Sequence, residues 1–156
     1  MTNLQNLRAL MSLSFMNAEN KIIIKSVSLD DARLPSVIYG AIGNPSPEKV
    51  LEVIESYKNS DHSIIAAFID DILVGVLGLC NTSKIITIRH ISVPLKYQRQ
   101  GIGTLLLEEI TKQYGSCKIV AETDSESVDF YAKSGFTCHE FKGPYGNLRY
   151  KCEFNL

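Results

Sequence analysis

The sequence has 156 residues, of which 45% are hydrophobic and 21% charged, and its formal net charge is -1. These values are typical of one globular domain, and they exclude a general electrostatic attraction to nucleic acid or to an anionic membrane surface. No apolar run is long enough for a membrane-spanning helix, and Ser12 and Ser14 interrupt the apolar stretch after Arg8, unlike the core of a signal peptide. We therefore expect neither a nucleic-acid nor a membrane partner.

The cysteines indicate no metal site and no disulfide framework. Four of them are spread along the chain without a Cys-x-x-Cys pair, namely Cys80, Cys117, Cys138 and Cys152. His62 and His139 have no other ligand at metal-site spacing, and a small buried thiol is common in strands. We therefore predict reduced core cysteines, no bound metal and a cytoplasmic location.

Residues 1–20 are predicted to be an N-terminal extension. Leu4, Leu7 and Leu10 recur at helical spacing, so the segment is either an amphipathic helix or a frayed tail. Met16 is an alternative start, because the recognisable domain, residues 21–156, begins soon after it.

Hydrophobic periodicity and turn residues predict about seven strands and four helices. The strands are expected over 21–27, 63–69, 72–80, 85–93, 117–123, 136–142 and 148–154, and the helices over 32–42, 48–58, 102–114 and 126–134. A helix joins the strands 85–93 and 117–123, and such a crossover favours parallel pairing. The sequence therefore predicts an α/β fold of the α+β type, in which helices flank a mixed, mostly antiparallel sheet with one parallel βαβ unit.

Gly101 and Gly103 lie where strand 85–93 gives way to helix 102–114. The first N–H groups of a helix have no partner within the helix, and the helix dipole adds partial positive charge there, so this junction suits an anion. Arg99 adds a formal charge. The alternative is that both glycines only turn the chain. A dinucleotide fingerprint and a P-loop are excluded, because a third glycine and a Gly-Lys-Ser/Thr sequence are missing.

Two motifs resemble those of the GNAT acetyltransferase superfamily. Gln98-Arg99-Gln100-Gly101-Ile102-Gly103 resembles the family signature Gln/Arg-x-x-Gly-x-Gly/Ala. The segment 130–136, Phe-Tyr-Ala-Lys-Ser-Gly-Phe, is similar to the family's Phe-Tyr-x-x-x-Gly-Phe motif, and it follows in the family's order. The resemblance covers roughly residues 21–156.

The resemblance implies acetyl-coenzyme A as cosubstrate. The glycine loop would bind its pyrophosphate, and the pantetheine arm would lie between two central strands that splay apart. The implied coenzyme contacts are Ile91, Ser92, Val93, Gln98, Arg99, Gln100, Gly101, Ile102, Gly103, Thr104, Ser125, Val128 and Tyr131. Asp124 stands where many relatives carry an asparagine, and Pro94-Leu95 replaces the usual residues after the strand, so both positions depart from the pattern.

The implied reaction is direct attack of a primary amine on the thioester, with Tyr131 as the general acid. His90 and Glu122 are the two candidates for the general base; each has a plainer role, as a structural histidine and as a solvated strand-end carboxylate. The acceptor, a small molecule, peptide or protein, is not readable, although Tyr145, Arg149 and Tyr150 are candidates to line its side. The alternative function is a coenzyme A-binding sensor without catalysis. The protein is expected to be a monomer or a homodimer.

Overall fold

A single seven-stranded sheet forms the framework of the computed structural model, which describes residues 21–155. The strands are β1 (Ile22–Ser26), β2 (His62–Ile69), β3 (Ile72–Thr82), β4 (Ile85–Ser92), β5 (Lys118–Thr123), β6 (Thr137–Lys142) and β7 (Leu148–Phe154). Their order across the sheet is β1-β2-β3-β4-β5-β7-β6. Every neighbouring pair is antiparallel except β4 and β5, so the predicted mixed sheet with one parallel unit is confirmed.

Within residues 21–155, four α-helices flank this sheet: α1 (Leu34–Ile38), α2 (Pro47–Ser56), α3 (Ile102–Gln113) and α4 (Val128–Lys133). The predicted helix 32–42 is shorter than expected, because α1 passes into a 3-10 turn over Tyr39–Ala41. Helix α2 begins as its sequence predicts: the Ser46 hydroxyl accepts a hydrogen bond from the Lys49 N–H, and Pro47 is the first helical residue.

The two faces of the sheet bury separate hydrophobic clusters. One face packs against α3 and α4, through residues that include Leu106 and Ile110 of α3 and Tyr131 of α4. The other face packs against α1 and α2, through residues that include Leu34 and Ile54, with Tyr57 directly after α2. The sheet therefore holds two helix layers apart, and a strand residue belongs to one layer or the other according to the face it occupies.

Part of the way along β4, a bulge changes which face of the sheet its alternate side chains occupy. Gly78 of β3 is paired with His90 and the adjacent Leu79 with Ile88, so Arg89 is an extra residue, a β-bulge. Ile88 packs in the cluster with α3, whereas His90 contacts Tyr57 on the opposite face. Without the bulge, residues two apart would share a face. The bulge thus turns the end of β4 toward the α1–α2 layer.

The parallel strands β4 and β5 separate just beyond this bulge. Their register runs from Ile85 opposite Lys118 to Ile88 opposite Ala121, and no later pair follows. Glu122 and Thr123 of β5 continue to pair with β7 on the other side. The end of β4 therefore leaves backbone unpaired on the side facing β5, and the two strands open a cleft.

The prediction that all four cysteines are reduced is wrong for one pair. Cys138 of β6 and Cys152 of β7 lie directly opposite each other and are joined in a disulfide. Their separation along the chain gave no sign of a bond, but the β6–β7 hairpin sets them side by side. Cys80 and Cys117 are free.

The predicted extension, residues 1–20, lies outside the described residues. Between residues 21 and 155, no helix has both the length and the apolar character that crossing a membrane requires.

Candidate active site

A cavity of about 920 Å³ occupies the cleft between the separated ends of β4 and β5. Its walls come from the end of β4, the glycine loop and start of α3, the end of β5, helix α4, strand β7, and the 3-10 turn with the loop that follows it. The lining residues are Gly40, Ala41, Ile42, Gly43, Ile88, Arg89, His90, Ile91, Val93, Tyr97, Gln98, Arg99, Gly101, Ile102, Gly103, Thr104, Glu122, Thr123, Asp124, Glu126, Ser127, Phe130, Tyr131, Lys133 and Arg149.

The glycine loop presents an open helix N-terminus to this cavity. Arg99 and Gly101 both have left-handed backbones, with φ of 61° and 80°. In the part of the chain that the structure describes, no side chain caps α3, whose N-cap is Gly101, so the first N–H groups of the helix can bind a ligand. The Gln98 side-chain amide donates a hydrogen bond of 2.8 Å to the Val93 carbonyl and braces the loop against β4. This arrangement suits an anionic group such as a phosphate.

The two loop glycines are needed for different reasons. A side chain at Gly101 would meet no atom within 4 Å, and it is the left-handed backbone that favours glycine there. A Cβ at Gly103 would lie 3.1 Å from the Phe130 ring, so this glycine allows α3 and α4 to pack closely. Gly101 is therefore required by the backbone conformation and Gly103 by the packing of two helices.

Tyr131 lies on α4, between the core and the cavity. It is 4% exposed, and its ring makes edge contacts with Phe130 and Phe136, whose centroids lie 5.3 and 5.4 Å away. Burial raises the pKa of the Tyr131 hydroxyl to about 12, so the phenol stays protonated near neutral pH. The site therefore contains a neutral O–H donor with a fixed ring.

His90 is held by a buried tyrosine from the opposite layer. The Tyr57 hydroxyl lies 2.6 Å from Nδ1 of His90, and Tyr57 is 5% exposed. Among the described residues the phenol has no other hydrogen-bond acceptor, which assigns Tyr57 as the donor and Nδ1 as the acceptor. The proton of the neutral imidazole is then on Nε2.

Burial, together with the smaller effect of the positive charge of Arg89, lowers the pKa of His90 to about 4. At neutral pH the ring is therefore uncharged, but it is a weak base. Its Nδ1 lone pair is used by Tyr57 and its Nε2 carries the proton. His90 lines the cavity, and its chemistry there is that of a hydrogen-bond donor.

Charged residues from three neighbouring strands line the cavity. Arg89 comes from the bulge of β4, Glu122 from the end of β5, and Arg149 from β7, which pairs with β5. Glu122 is exposed and lines the cavity, so its carboxylate is available to a ligand there. Arg89, Glu122 and Arg149 together form what we call the charged wall of the cavity, and none of them belongs to the glycine loop.

Most residues predicted for the site meet at the cavity. His90, Glu122 and nine of the predicted coenzyme contacts line it: Ile91, Val93, Gln98, Arg99, Gly101, Ile102, Gly103, Thr104 and Tyr131. Ser92, Gln100, Ser125 and Val128 are not in the lining. Ser92 turns to the other face, where its Oγ lies 3.0 Å from the position of a Cβ on Gly40, and Val128 packs against the core with α3.

Sequence reasoning missed part of the lining. The segment 40–43 and Arg89 line the cavity but stood in no motif, and Lys133 lines it from within the motif 130–136 without having been predicted as a contact. Of the acceptor-side candidates, Arg149 lines the cavity, Tyr145 projects away with 94% of its surface exposed, and Tyr150 packs against the core. The pairing of β5 with β7 places Arg149 and Tyr150 in the sheet and so distinguishes the three candidates. This pairing is visible only in the folded chain.

Asp124 has a structural role. Its carboxylate accepts hydrogen bonds of 3.0 Å from the N–H groups of Glu126 and Ser127, and it caps the turn that leads into α4. An aspartate performs this capping as well as an asparagine does. The departure from the family pattern at this position is therefore compatible with the local fold.

Comparison with known proteins agrees with the fold and with the motifs. The family model described as an acetyltransferase (GNAT) domain matches residues 43–145, more than half of the chain. The chain therefore belongs to the GNAT acetyltransferase domain family.

Solved structures share its fold. An aminoglycoside 6'-acetyltransferase type Ii is 21% identical with a TM-score of 0.70, and the match covers 85% of this chain and 96% of that one. A GNAT family acetyltransferase from Elizabethkingia anophelis with acetyl-CoA bound is 20% identical with a TM-score of 0.67, covering 86% and 98%. The PaiA N-acetyltransferase from Thermoplasma acidophilum in complex with coenzyme A is 24% identical with a TM-score of 0.63, covering 86% and 99%.

Proposed function

We propose that this protein transfers the acetyl group of acetyl-coenzyme A to a primary amine by direct attack of the amine on the thioester. The observation that carries the proposal is one continuous cavity that joins the open N-terminus of α3 to Tyr131 and to the charged wall. An anion site, a proton donor and a polar acceptor region are the three parts that such a transfer needs.

The pyrophosphate of the coenzyme binds at the glycine loop. The free N–H groups at the start of α3 donate hydrogen bonds to its oxygens, and Arg99 supplies positive charge. The pantetheine arm follows the end of β4, where Ile91 and Val93 line the cavity and the backbone has no strand partner on the side of β5. The arm pairs with this edge as an added strand does.

Tyr131 protonates the leaving thiolate. Its hydroxyl is neutral near pH 7 because burial raises its pKa to about 12, and its ring is fixed between two phenylalanines. Most of the acceleration comes from holding the amine and the thioester in line, and the proton donor adds to it.

Glu122 takes the proton from the attacking amine, directly or through a water molecule. It is exposed to the cavity, whereas His90 is a weak base whose Nδ1 is already bonded to Tyr57. We assign His90 a supporting role: its Nε2–H donates a hydrogen bond to a group of the bound reactants. The solved structures that share the fold are at most 24% identical and support the fold alone, so the choice of amine rests on this chain's own cavity.

The test is calorimetric titration with acetyl-coenzyme A, together with a thiol-release assay over a panel of amines that includes aminoglycosides, polyamines, amino acids and peptides. We expect binding with thiol release for at least one class. Binding without release over the whole panel favours the non-catalytic sensor, for which the weak basicity of His90 is the supporting observation. A protein that does not bind the coenzyme would contradict both functions.

A further inference from the structure

A group of three side chains with metal-binding atoms lies outside the cavity, where β2 begins and β3 ends. Asp61 precedes β2, His62 is its first residue, and Cys80 lies directly opposite His62 on β3. One ligand atom from each residue can be chosen so that all three lie within 4.8 Å of one another. Cys80 follows His62 by 18 residues, so the group does not form a motif in the sequence. The pairing of β2 with β3 brings its members together.

The contacts within the group converge on the carboxylate of Asp61. One of its oxygens lies 2.7 Å from Nδ1 of His62, and the other lies 3.7 Å from Sγ of Cys80. The Cys80 sulfur also lies 3.1 Å from the Thr82 hydroxyl. His62 is nearly buried and Asp61 is half exposed, so the group is anchored on the protein side and open on the solvent side.

We propose that Asp61, His62 and Cys80 form a binding site for Zn²⁺. The three ligand types, carboxylate oxygen, imidazole nitrogen and thiolate sulfur, are those that zinc uses in proteins, and three protein ligands leave a fourth position for water. Binding releases the thiol proton of Cys80 to solvent and leaves the imidazole neutral. This proposal departs from our expectation, drawn from spacing along the chain, that no metal binds.

Zinc at this site alters the charged wall of the cavity through Arg89. The guanidinium of Arg89 donates a hydrogen bond to Nε2 of His62, so the metal-free imidazole carries its proton on Nδ1, toward Asp61. A metal on Nδ1 moves that proton to Nε2, which can then no longer accept from Arg89. Metal binding therefore releases Arg89, a residue that lines the cavity, from its only side-chain partner among the described residues.

The binding test uses the full chain, freed of metal by a chelator and a desalting column. Zn²⁺ is titrated against a chromogenic chelator, and Co²⁺ serves as a spectroscopic probe. We expect one ion per chain and a thiolate-to-cobalt absorption band. Cys80→Ser should lose the band and weaken zinc binding by at least about tenfold, as removing a ligand does. Cys117→Ser, which alters the other free cysteine, is the control and should bind as the wild type does.

Two results would overturn the proposal: absence of stoichiometric binding by the wild type, and equal zinc affinity in Cys80→Ser and the wild type. Circular dichroism and thermal unfolding of each variant separate a lost ligand from a lost fold. Asp61→Asn provides a second variant, because it keeps the shape of the side chain while removing the anionic ligand. We expect it too to weaken binding.

The link to Arg89 has its own test. Arg89→Leu removes the donor that competes with the metal-bound tautomer, so zinc should bind about fivefold more tightly, which is the value of one hydrogen bond. Unchanged or weaker zinc binding in Arg89→Leu would contradict the link. None of these measurements depends on acetyl transfer, so the zinc site and the proposed function can fail separately.

Discussion

The hydroxyl of Tyr57 lies 2.6 Å from Nδ1 of His90 although 33 residues separate them in the sequence. The phenol reaches His90 by lying across β3 at Gly78, which is paired with His90 in the sheet. A Cβ on Gly78 would fall 1.9 Å from the Tyr57 hydroxyl oxygen. The contact between the α2 layer and the end of β4 therefore depends on a residue without a side chain.

Replacing that glycine should displace the tyrosine. In Gly78→Ala, the new methyl group overlaps the Tyr57 phenol, and we expect the free energy of unfolding to fall by about 1–3 kcal/mol, the usual cost of overpacking a core. Urea denaturation followed by circular dichroism measures the change. Gly43→Ala is the matched control, because no atom lies within 4 Å of a Cβ there, and it should be nearly neutral. Equal stability of both variants would show that Tyr57 can move aside without cost.

The buried His90 should make the protein less stable in acid. Its pKa falls from an ordinary 6.5 to about 4 in the folded protein, so between these values the unfolded chain binds more protons. Stability therefore falls as the pH is lowered from about 6.5 to about 4. Because the ring is only partly buried, we expect a contribution of about 1–2 kcal/mol at pH 4.5.

Chemical denaturation at pH 7 and pH 4.5 checks this pH dependence. The loss between the two values should be smaller in His90→Gln than in the wild type, since glutamine does not titrate. An NMR titration of the His90 ring gives the pKa directly. A measured pKa near 6.5 would contradict His90 as the cause of the acid sensitivity, even if the denaturation experiments showed the expected loss of stability.

The two candidate bases are separated by their variants. If Glu122 accepts the amine proton, Glu122→Gln should lower kcat by about a hundredfold or more. His90→Gln should lower kcat by less than about tenfold, because it loses a hydrogen bond and not the base. Steady-state rates with the best acceptor of the panel provide the measurement. The reverse order of effects would assign the base to His90.

Removing the Tyr131 hydroxyl should slow the chemical step alone. In Tyr131→Phe the ring still packs against Phe130 and Phe136, so coenzyme affinity and stability should change little, while kcat falls by about a hundredfold. Calorimetry and stopped-flow thiol release measure the two quantities. Tyr145→Phe, at a position that is 94% exposed, controls for loss of a phenol elsewhere. Full activity in Tyr131→Phe would remove this residue from the mechanism.

The two loop glycines should respond differently to the same substitution. Gly101→Val forces a β-branched residue into a left-handed backbone, and we expect coenzyme affinity to fall by at least about tenfold. Gly103→Val pushes against Phe130, so its main effect should be on the packing of α3 against α4.

A second substitution distinguishes these causes. Phe130→Leu makes room beside residue 103, so it should restore much of the stability of Gly103→Val and leave the defect of Gly101→Val unchanged. Double-mutant cycles in stability and in coenzyme affinity give the coupling. Rescue of both glycine variants by Phe130→Leu would mean that crowding, and not backbone geometry, limits the loop.

The strand and helix positions were largely predictable because their signals are local. The hairpin of β2 and β3 follows from two apolar runs around Asp70-Asp71, and α2 from the cap at Ser46. The start of α3 follows from two glycines before an apolar-periodic segment. In each case neighbouring residues supply the physical cause, so the sequence alone carries it.

Long-range relationships were not predictable. The residue types around Arg89 give no sign of a bulge, yet the bulge decides that His90 meets Tyr57. Ser92 was expected to touch the coenzyme and instead lies on the other face for the same reason. The Cys138–Cys152 bond and the position of Arg149 likewise depend on which strands pair, and a single sequence does not determine that pairing.

The extra residue in β4 shifts the alternation of side chains between the two faces of the sheet by one position. Before Arg89, alternate side chains such as Ile86 and Ile88 fill the core; after it, His90 and Ser92 take up the opposite side. Deleting one residue at the bulge would restore the alternation and carry His90 into the helix α3 layer, away from Tyr57. The two halves of the strand therefore pack against different helix layers, and the single extra residue sets the change between them.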